Sequence, residues 1–139
     1  MIQQQIPGTV GQLMTRDPLV IADDAPLMDA AELMDTFDVT GLPVVDDSGV
    51  LVGVISQTDL VRAAGTRHLW SGWPGLVVRH LMTAPAITLT PEANLDEAAR
   101  LMEHEKIHRV IVVATDGRVP VGVLSLTDLV RSLVEDDGD

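Results

Sequence analysis

Two short segments of the chain each carry a serine and an aspartate three residues apart, Ser56–Asp59 and Ser125–Asp128. A β-branched run precedes each serine and an amphipathic stretch follows it, which predicts a strand that leads into a helix. At such a junction the serine can cap the helix and the aspartate can stabilise its first turn. The same pair can also line a ligand site, because ligands bind where strands give way to helices in α/β proteins. The sequence is compatible with both uses.

The aspartate of each segment limits what such a site could bind. A carboxylate only accepts hydrogen bonds, so it suits a neutral diol such as the 2′- and 3′-hydroxyls of a ribose. The same charge repels a phosphate, which must then contact basic side chains elsewhere. No nucleophile lies beside a general base, and the chain has no cysteine. We therefore expect binding without catalysis.

The sequence HEKIH at His104–His108 has the spacing of a zinc-peptidase motif. That chemistry needs both histidines one turn apart on a continuous helix, with a third ligand and an open metal position. An internal repeat, described below, aligns this stretch with Thr36–Thr40, where a helix ends and a strand begins. His104 is then expected in the last helical turn and His108 in the connection, so a zinc-dependent hydrolase is disfavoured.

The charge of the chain argues against two classes of partner. The formal net charge is −12, with only nine lysines and arginines. Nucleic acids and anionic membrane surfaces both require a basic face, so neither is expected. The N-terminal residues lack the pattern of a signal peptide and no apolar run is long enough to span a bilayer, so the prediction is a soluble cytoplasmic protein.

Both serine–aspartate segments belong to an internal repeat. The decapeptide GVISQTDLVR at Gly53–Arg62 returns as GVLSLTDLVR at Gly122–Arg131, with eight of ten residues identical. Repeats of this kind indicate a duplicated structural unit. Further matches lie about 68 residues apart, pairing Leu13–Thr15 with Leu81–Thr83 and Asp29–Met34 with Glu97–Met102.

Each copy predicts the same elements in the same order. A leading helical segment is followed by an extended piece, an amphipathic helix, a β-branched strand, a turn, a second strand and a final helix. Asn94 with Glu97 is expected to cap the amphipathic helix of the second copy. The fold class is therefore α+β (α/β-like), built from two β-α-β-β-α repeats.

The two repeats are expected at residues 9–65 and 77–135, joined by a linker at 66–76 that holds Trp70 and Trp73. Each repeat alone is too small for a secure core, so we expect the two to pack through their sheets. Trp70 and Trp73 are expected to cover the joint between the repeats or a subunit contact, and a ligand lid is the alternative.

The ordered pattern Leu-Met-Thr, amphipathic helix, Pro-Val-Val-Asp and Gly-Val-Ile-Ser-x-x-Asp-Leu resembles a CBS domain. Two copies cover about Thr9 to Glu135, so the chain resembles a tandem pair of CBS domains, or Bateman module. The resemblance implies pseudo-twofold symmetry, a homodimer, and a regulatory role without catalysis. It also implies an adenosine-containing ligand, such as AMP, ADP, ATP or S-adenosylmethionine, in the cleft between the two repeats.

The resemblance also implies roles for individual residues. Asp59 and Asp128 would accept hydrogen bonds from the ribose, and Thr58 and Thr127 would lie beside the sugar or phosphate. Arg109 is the candidate phosphate ligand, because arginine binds phosphate in a bidentate manner. The second copy departs from the family pattern at one position, because Ile111 stands where the first copy has the proline of that pattern, Pro43. The expected binding residues are Val20, Ile21, Thr40, Gly41, Leu42, Pro43, Ser56, Thr58, Asp59, Ile87, Thr88, His108, Arg109, Val110, Ser125, Thr127 and Asp128.

Two functions therefore remain open at the level of sequence. The leading hypothesis is a stand-alone regulatory module that senses an adenosine-containing ligand and reports by changing its shape or the surface that it presents to an unidentified partner protein. The alternative is a ligand-free dimeric scaffold for protein interactions, in which the surface is the active feature. A zinc-dependent hydrolase through His104 and His108 is the third and disfavoured hypothesis.

Overall fold

The computed structural model describes residues 6–66 and 75–137, with side chains up to residue 134. The chain forms two compact units. The first-repeat unit comprises Leu19–Ala86, and the second-repeat unit comprises the chain up to Pro18 together with the chain from Ile87 onward. Each unit contains one sheet and one core.

The linker prediction and the membrane prediction stand differently against the described residues. Trp70 and Trp73, with most of the predicted linker, lie outside the described residues. Within the described ranges, none of the helices combines the length and apolar character needed to cross a membrane.

The elements follow the predicted order in both repeats, and the α+β fold class is confirmed. The leading segments are short helices. The strand at Thr15–Arg16, directly after the first of these helices, was not predicted. In chain order the elements are α1 (Val10–Leu13), β1 (Thr15–Arg16), β2 (Ile21–Ala22), α2 (Leu27–Phe37), β3 (Gly41–Val45), β4 (Leu51–Ser56), α3 (Gln57–Gly65), α4 (Val78–Leu81), β5 (Thr88–Leu89), α5 (Leu95–Glu105), β6 (Arg109–Val113), β7 (Pro120–Ser125) and α6 (Leu126–Asp137).

The two sheets share a common core topology. The first-repeat unit has the strand order β2-β3-β4, and the second-repeat unit has the order β1-β7-β6-β5. In each, a short strand runs parallel to the central strand, which pairs antiparallel with the strand before the final helix. The amphipathic helices bury an aliphatic stripe in the core of their own unit, with Leu27, Ala30 and Met34 from α2 and Leu95, Ala98 and Met102 from α5.

The ends of these helices are set by local hydrogen bonds. The predicted cap of α5 is confirmed, since Asn94 Oδ1 accepts a hydrogen bond from Glu97 N at 2.8 Å. Asp38 and Lys106 end α2 and α5 in the left-handed conformation, with φ of 54° and 58°. This conformation closes the last helical turn and redirects the chain towards the central strand.

The leading segment of each repeat packs on the body of the other repeat. In the second-repeat unit β1 pairs antiparallel with β7, and Thr15 lies opposite Val123. In the first-repeat unit Val54 of β4 and Thr83 exchange two backbone hydrogen bonds of 2.9 and 2.8 Å. Each unit is therefore assembled from both repeats, which the linear order of the sequence does not reveal.

The glycine that opens each repeated decapeptide makes this packing possible. A Cβ atom added to Gly53 would lie 2.8 Å from the carbonyl oxygen of Thr83 and 2.9 Å from Met82 Sδ. A Cβ atom added to Gly122 would lie 2.9 Å from the carbonyl oxygen of Thr15. The matched Gly and Leu-Met-Thr signatures are thus packing partners, because only glycine lets the two backbones approach so closely.

We predict that Gly53→Ala lowers the free energy of unfolding by about 1–3 kcal/mol, because the new methyl group overlaps the backbone at Thr83. Urea denaturation of the full chain measures this change. Gly65→Ala is the matched control, since its Cβ would meet nothing within 4 Å at the end of α3. The control is expected to be neutral or stabilising. Equal stability of Gly53→Ala and the parent protein would contradict this account of the glycine.

Candidate functional site

Two of the predicted segments meet at one end of the sheet in the first-repeat unit, and a third runs beside them. The register places Gly41 of β3 opposite Ser56 of β4, and the N–H of Gln57 donates to the carbonyl oxygen of Thr40 at 2.9 Å. On the other side of β3, β2 pairs Ile21 with Val44. The start of β3 and the start of α3 therefore lie together, and β2 runs beside β3 from a point three residues further along. We call the start of β2, the start of β3 and the start of α3 the first strand-end site.

The second-repeat unit repeats this arrangement with its own residues. Arg109 of β6 lies opposite Ser125 of β7, and the N–H of Leu126 donates to the carbonyl oxygen of His108 at 2.8 Å. On the other side of β6, β5 pairs Thr88 with Ile111. We call the start of β5, the start of β6 and the start of α6 the second strand-end site.

Asp59 of the first site is held in a reciprocal cap at the start of α3. Its Oδ2 atom accepts hydrogen bonds from the N–H and the hydroxyl of Ser56, both at 2.9 Å. In return, the N–H of Asp59 donates to Ser56 Oγ at 3.2 Å. Asp59 is only 5% exposed, and its Oδ1 atom lies 3.4 Å from Arg62 Nη1.

Asp128 of the second site has the same role and is more exposed. Its Oδ2 atom accepts from the N–H of Ser125 at 2.9 Å, and its own N–H donates to Ser125 Oγ at 3.1 Å. The Oδ1 atom lies 3.6 Å from Arg131 Nη1. The Asp128 side chain is 15% exposed, against 7% for Asp59, so it is the more accessible carboxylate.

Of the two uses that the serine–aspartate spacing allows, the structure shows helix capping in both repeats. The capping hydrogen bonds occupy Oδ2, whereas Oδ1 lies 3.4 Å (Asp59) or 3.6 Å (Asp128) from an arginine that is itself 60–67% exposed. An ionised carboxylate has about four acceptor positions, so capping leaves acceptor capacity on Oδ1 for a ligand. The ribose assignment of Asp59 and Asp128 stays a prediction.

The remaining predicted residues divide into buried and exposed groups. Ile21, Leu42 and Val110 belong to the aliphatic cores of their units, so a ligand would meet their backbone rather than their side chains. Pro43 is also buried, while Gly41, Ser56, Thr88 and Ser125 are half-buried. The exposed members are Val20, Thr40, Thr58, Ile87, His108, Arg109 and Thr127.

The zinc-peptidase motif is divided by the end of α5. The helix stops at Glu105, Lys106 is in the left-handed conformation, and His108 lies in the connection to β6. The two histidines are therefore not on one continuous helix, as the alignment with the other repeat predicted. Among the described residues, no three or more histidine or acidic side chains are grouped so as to hold a metal ion.

Arg62 and Arg131 were not among the predicted site residues, although each contacts the aspartate of its site. Both stand at the final position of the repeated decapeptide, three residues after the aspartate. On a helix this spacing places two side chains on the same face. Both copies have arginine at the last position of the decapeptide, and this repetition was the signal that could have indicated an aspartate–arginine pair.

Comparison with known proteins places this architecture in a family. The CBS domain family model matches residues 10–65 and 78–135. CBSX2, a chloroplastic CBS domain-containing protein of Arabidopsis thaliana, is 35% identical over 91% of this chain. This chain spans 64% of the length of that protein. A crystal structure of CBSX2 in complex with AMP has a TM-score of 0.83 at 36% identity, covering 94% of this chain and 99% of that one.

Two further relatives match most of this chain. The CBS domain pair of protein MJ0100, solved in complex with 5′-methylthioadenosine and S-adenosyl-L-methionine, is 26% identical with a TM-score of 0.78. That match covers 92% of this chain and 97% of the other. The gamma-3 subunit of human 5′-AMP-activated protein kinase is 30% identical over 86% of this chain and 25% of its own length. The chain therefore belongs to the CBS domain family and carries two copies of the domain in tandem.

Proposed function

We propose that this chain is a regulatory module that binds an adenosine-containing ligand at its strand-end sites and does not convert it chemically. The observation that carries the proposal is that, in both units, the start of the central strand adjoins the start of the final helix, with a short parallel strand on the other side of the central strand. The AMP complex of CBSX2 and the complex of MJ0100 with two adenosine derivatives support this ligand class.

The exposed side chains of the two sites have the chemistry that such a ligand requires. Val20 and Ile87 are 36% and 37% exposed, each directly before the short parallel strand of its unit, and they offer an apolar surface to a base. The Oδ1 atoms of Asp59 and Asp128 offer acceptors to the ribose hydroxyls. The guanidinium of Arg109, exposed at the second site, offers paired donors to a phosphate.

A homodimer is the second part of the proposal, and α6 supplies the surface. Leu126, Val130, Leu133 and Val134 are 43%, 54%, 52% and 67% exposed. Their spacing places them on one side of the helix, so they form a continuous apolar stripe. Burial of this stripe against the same stripe of a second copy would remove apolar surface from water.

A ligand panel tests the sensing function. Because a ligand that binds only the folded state stabilises it, saturation near 100 times Kd should raise the free energy of unfolding by about 2.7 kcal/mol. Thermal denaturation with AMP, ADP, ATP, S-adenosylmethionine and NAD measures this effect. A melting temperature unchanged by the whole panel would contradict sensing and favour the ligand-free scaffold.

Substitution of the two aspartates tests the ribose assignment. Asp59→Asn and Asp128→Asn keep an acceptor oxygen for the helix cap but remove the charge that favours hydroxyl donors. We expect each variant to weaken ligand binding at its own site by at least tenfold, measured by isothermal titration calorimetry.

Two controls separate this effect from a general loss of stability. Asn94→Ala removes the cap of α5, whose Asn94 Oδ1 accepts from Glu97 N, and should leave binding unchanged. The 2′,3′-dideoxy form of a ligand that binds should bind the parent protein poorly, because it lacks both hydroxyls. Full affinity in both aspartate variants would show that the ribose assignment is wrong.

A charge placed in the apolar stripe tests the dimer. Leu133→Glu should convert a dimer to a monomer in analytical ultracentrifugation without unfolding the chain, because Leu133 is already 52% exposed. Thr36→Glu adds the same charge at an exposed position of α2 and serves as the control. A parent protein that sediments as a monomer at tens of micromolar would contradict the proposed interface.

A further inference from the structure

The short helices α1 and α4 begin with the same kind of hydrogen bond but use different acceptors. In α1 the N–H of Thr9 donates to Gln12 Oε1 at 2.9 Å. In α4 the N–H of Val77 donates to His80 Nδ1 at 3.1 Å. Gln12 and His80 stand at matching positions of the two repeats. The amide of a glutamine does not titrate near neutral pH, whereas an imidazole nitrogen accepts a hydrogen bond only while it carries no proton.

The start of α4 has fewer capping hydrogen bonds than the start of α1. In α1 Thr9 Oγ1 also accepts from the N–H of Gln12 at 3.4 Å, so the two residues cap each other. In α4 the residue that matches Thr9 is Val77, whose side chain has no polar atom. Among the residues that the structure describes, the bond to His80 is therefore the whole side-chain cap of α4.

This cap lies beside the backbone hydrogen bonds that dock α4 on the first-repeat unit. The N–H of Val78 donates to the carbonyl oxygen of Ala25, and the N–H of Arg79 donates to the carbonyl oxygen of Asp23, both at 2.9 Å. The chain then continues from α4 to Thr83, which bonds to the edge of β4. Loss of the cap would therefore act on the segment that completes this unit.

The second-repeat unit provides an internal reference for this contact. The N–H groups of Val10 and Gly11 donate to the carbonyl oxygens of Ala93 and Pro91, both at 2.9 Å. These two bonds of α1 match the two backbone bonds of α4 in position and length. The two docked helices thus differ in their caps, since Gln12 supplies the acceptor in α1.

The charged groups near α4 include both signs. The elements packed against α4 are α3, β4 and the segment that leads into the first turn of α2. Their charged side chains, together with that of α4 itself, are Asp23, Asp24, Asp29, Asp59, Arg62 and Arg79. None of these carboxylates lies within 4 Å of an imidazole nitrogen of the exposed His80. Its hydrogen bond to Val77 is therefore the described contact that protonation of His80 changes.

We propose that His80 is a pH-sensitive cap, so that acidification loosens α4 from the first-repeat unit and leaves α1 docked. An imidazole exposed to water takes up a proton as the pH falls through about 6.5. The added proton converts Nδ1 from an acceptor to a donor, which cannot bond to the N–H of Val77. The stabilisation of α4 by this cap is thus present at neutral pH and lost in acid. This inference does not depend on the proposed ligand.

Amide hydrogen exchange of the full chain, followed by NMR and corrected for the intrinsic exchange rate at each pH, tests the proposal. When the pH is lowered from about 7.5 to about 5.5, the protection of the Val78 amide should fall at least about threefold relative to that of Val10. His80→Gln should abolish this relative loss, because Gln12 makes the same bond in the other repeat. His80→Ala has no acceptor and should show the low relative protection at both pH values.

The ratio of the two amides is measured within one molecule, so a loss of stability that acts on both units cancels. His104→Gln removes another exposed histidine, on α5, and is the control that should keep the pH dependence of the parent protein. A ratio that stays constant over this pH range in the parent protein would overturn the inference. Retention of the relative loss in His80→Gln would overturn it as well, and neither result would bear on ligand binding.

Discussion

The close approach of a leading segment to a glycine is the contact on which both units depend. Thr83 bonds through its backbone to Val54 beside Gly53, and Thr15 lies against Gly122 on the edge of β7. In both places the segment covers a strand edge that would otherwise present unpaired N–H and C=O groups. A side chain at either glycine would separate the two backbones and open that edge to solvent.

This contact explains why the chain contains the same signatures twice. Each unit takes three strands and two long helices from one repeat and its leading segment from the other. The Leu-Met-Thr signature of one copy is thus matched to the glycine of the other, and neither unit is complete with one repeat alone. Duplication contributes to stability through this exchange, in addition to the number of aliphatic residues that it supplies.

The serine–aspartate pair links this framework to the proposed site. The pair fixes the point where a strand ends and a helix begins, because each residue satisfies a backbone N–H of the other. The same carboxylate keeps a second oxygen that the cap does not use. Structure and binding can therefore share one residue, since capping uses Oδ2 and the proposed ribose contact uses Oδ1.

The sequence by itself determined the order and type of the elements, the aliphatic stripes of α2 and α5, the caps at Asn94, Ser56 and Ser125, and the interruption of the HEKIH motif. These features depend on hydrogen bonds and periodicities within a few residues, so a local pattern is sufficient to predict them. Tertiary structure alone decided which sheet each leading segment joins, because both copies contain the same Leu-Met-Thr signature and the same glycine, and the local pattern does not distinguish them. It also decided that Ile21, Leu42 and Val110 face the core while Val20, Ile87 and Arg109 are exposed, since burial depends on the neighbours that pairing of distant strands brings together.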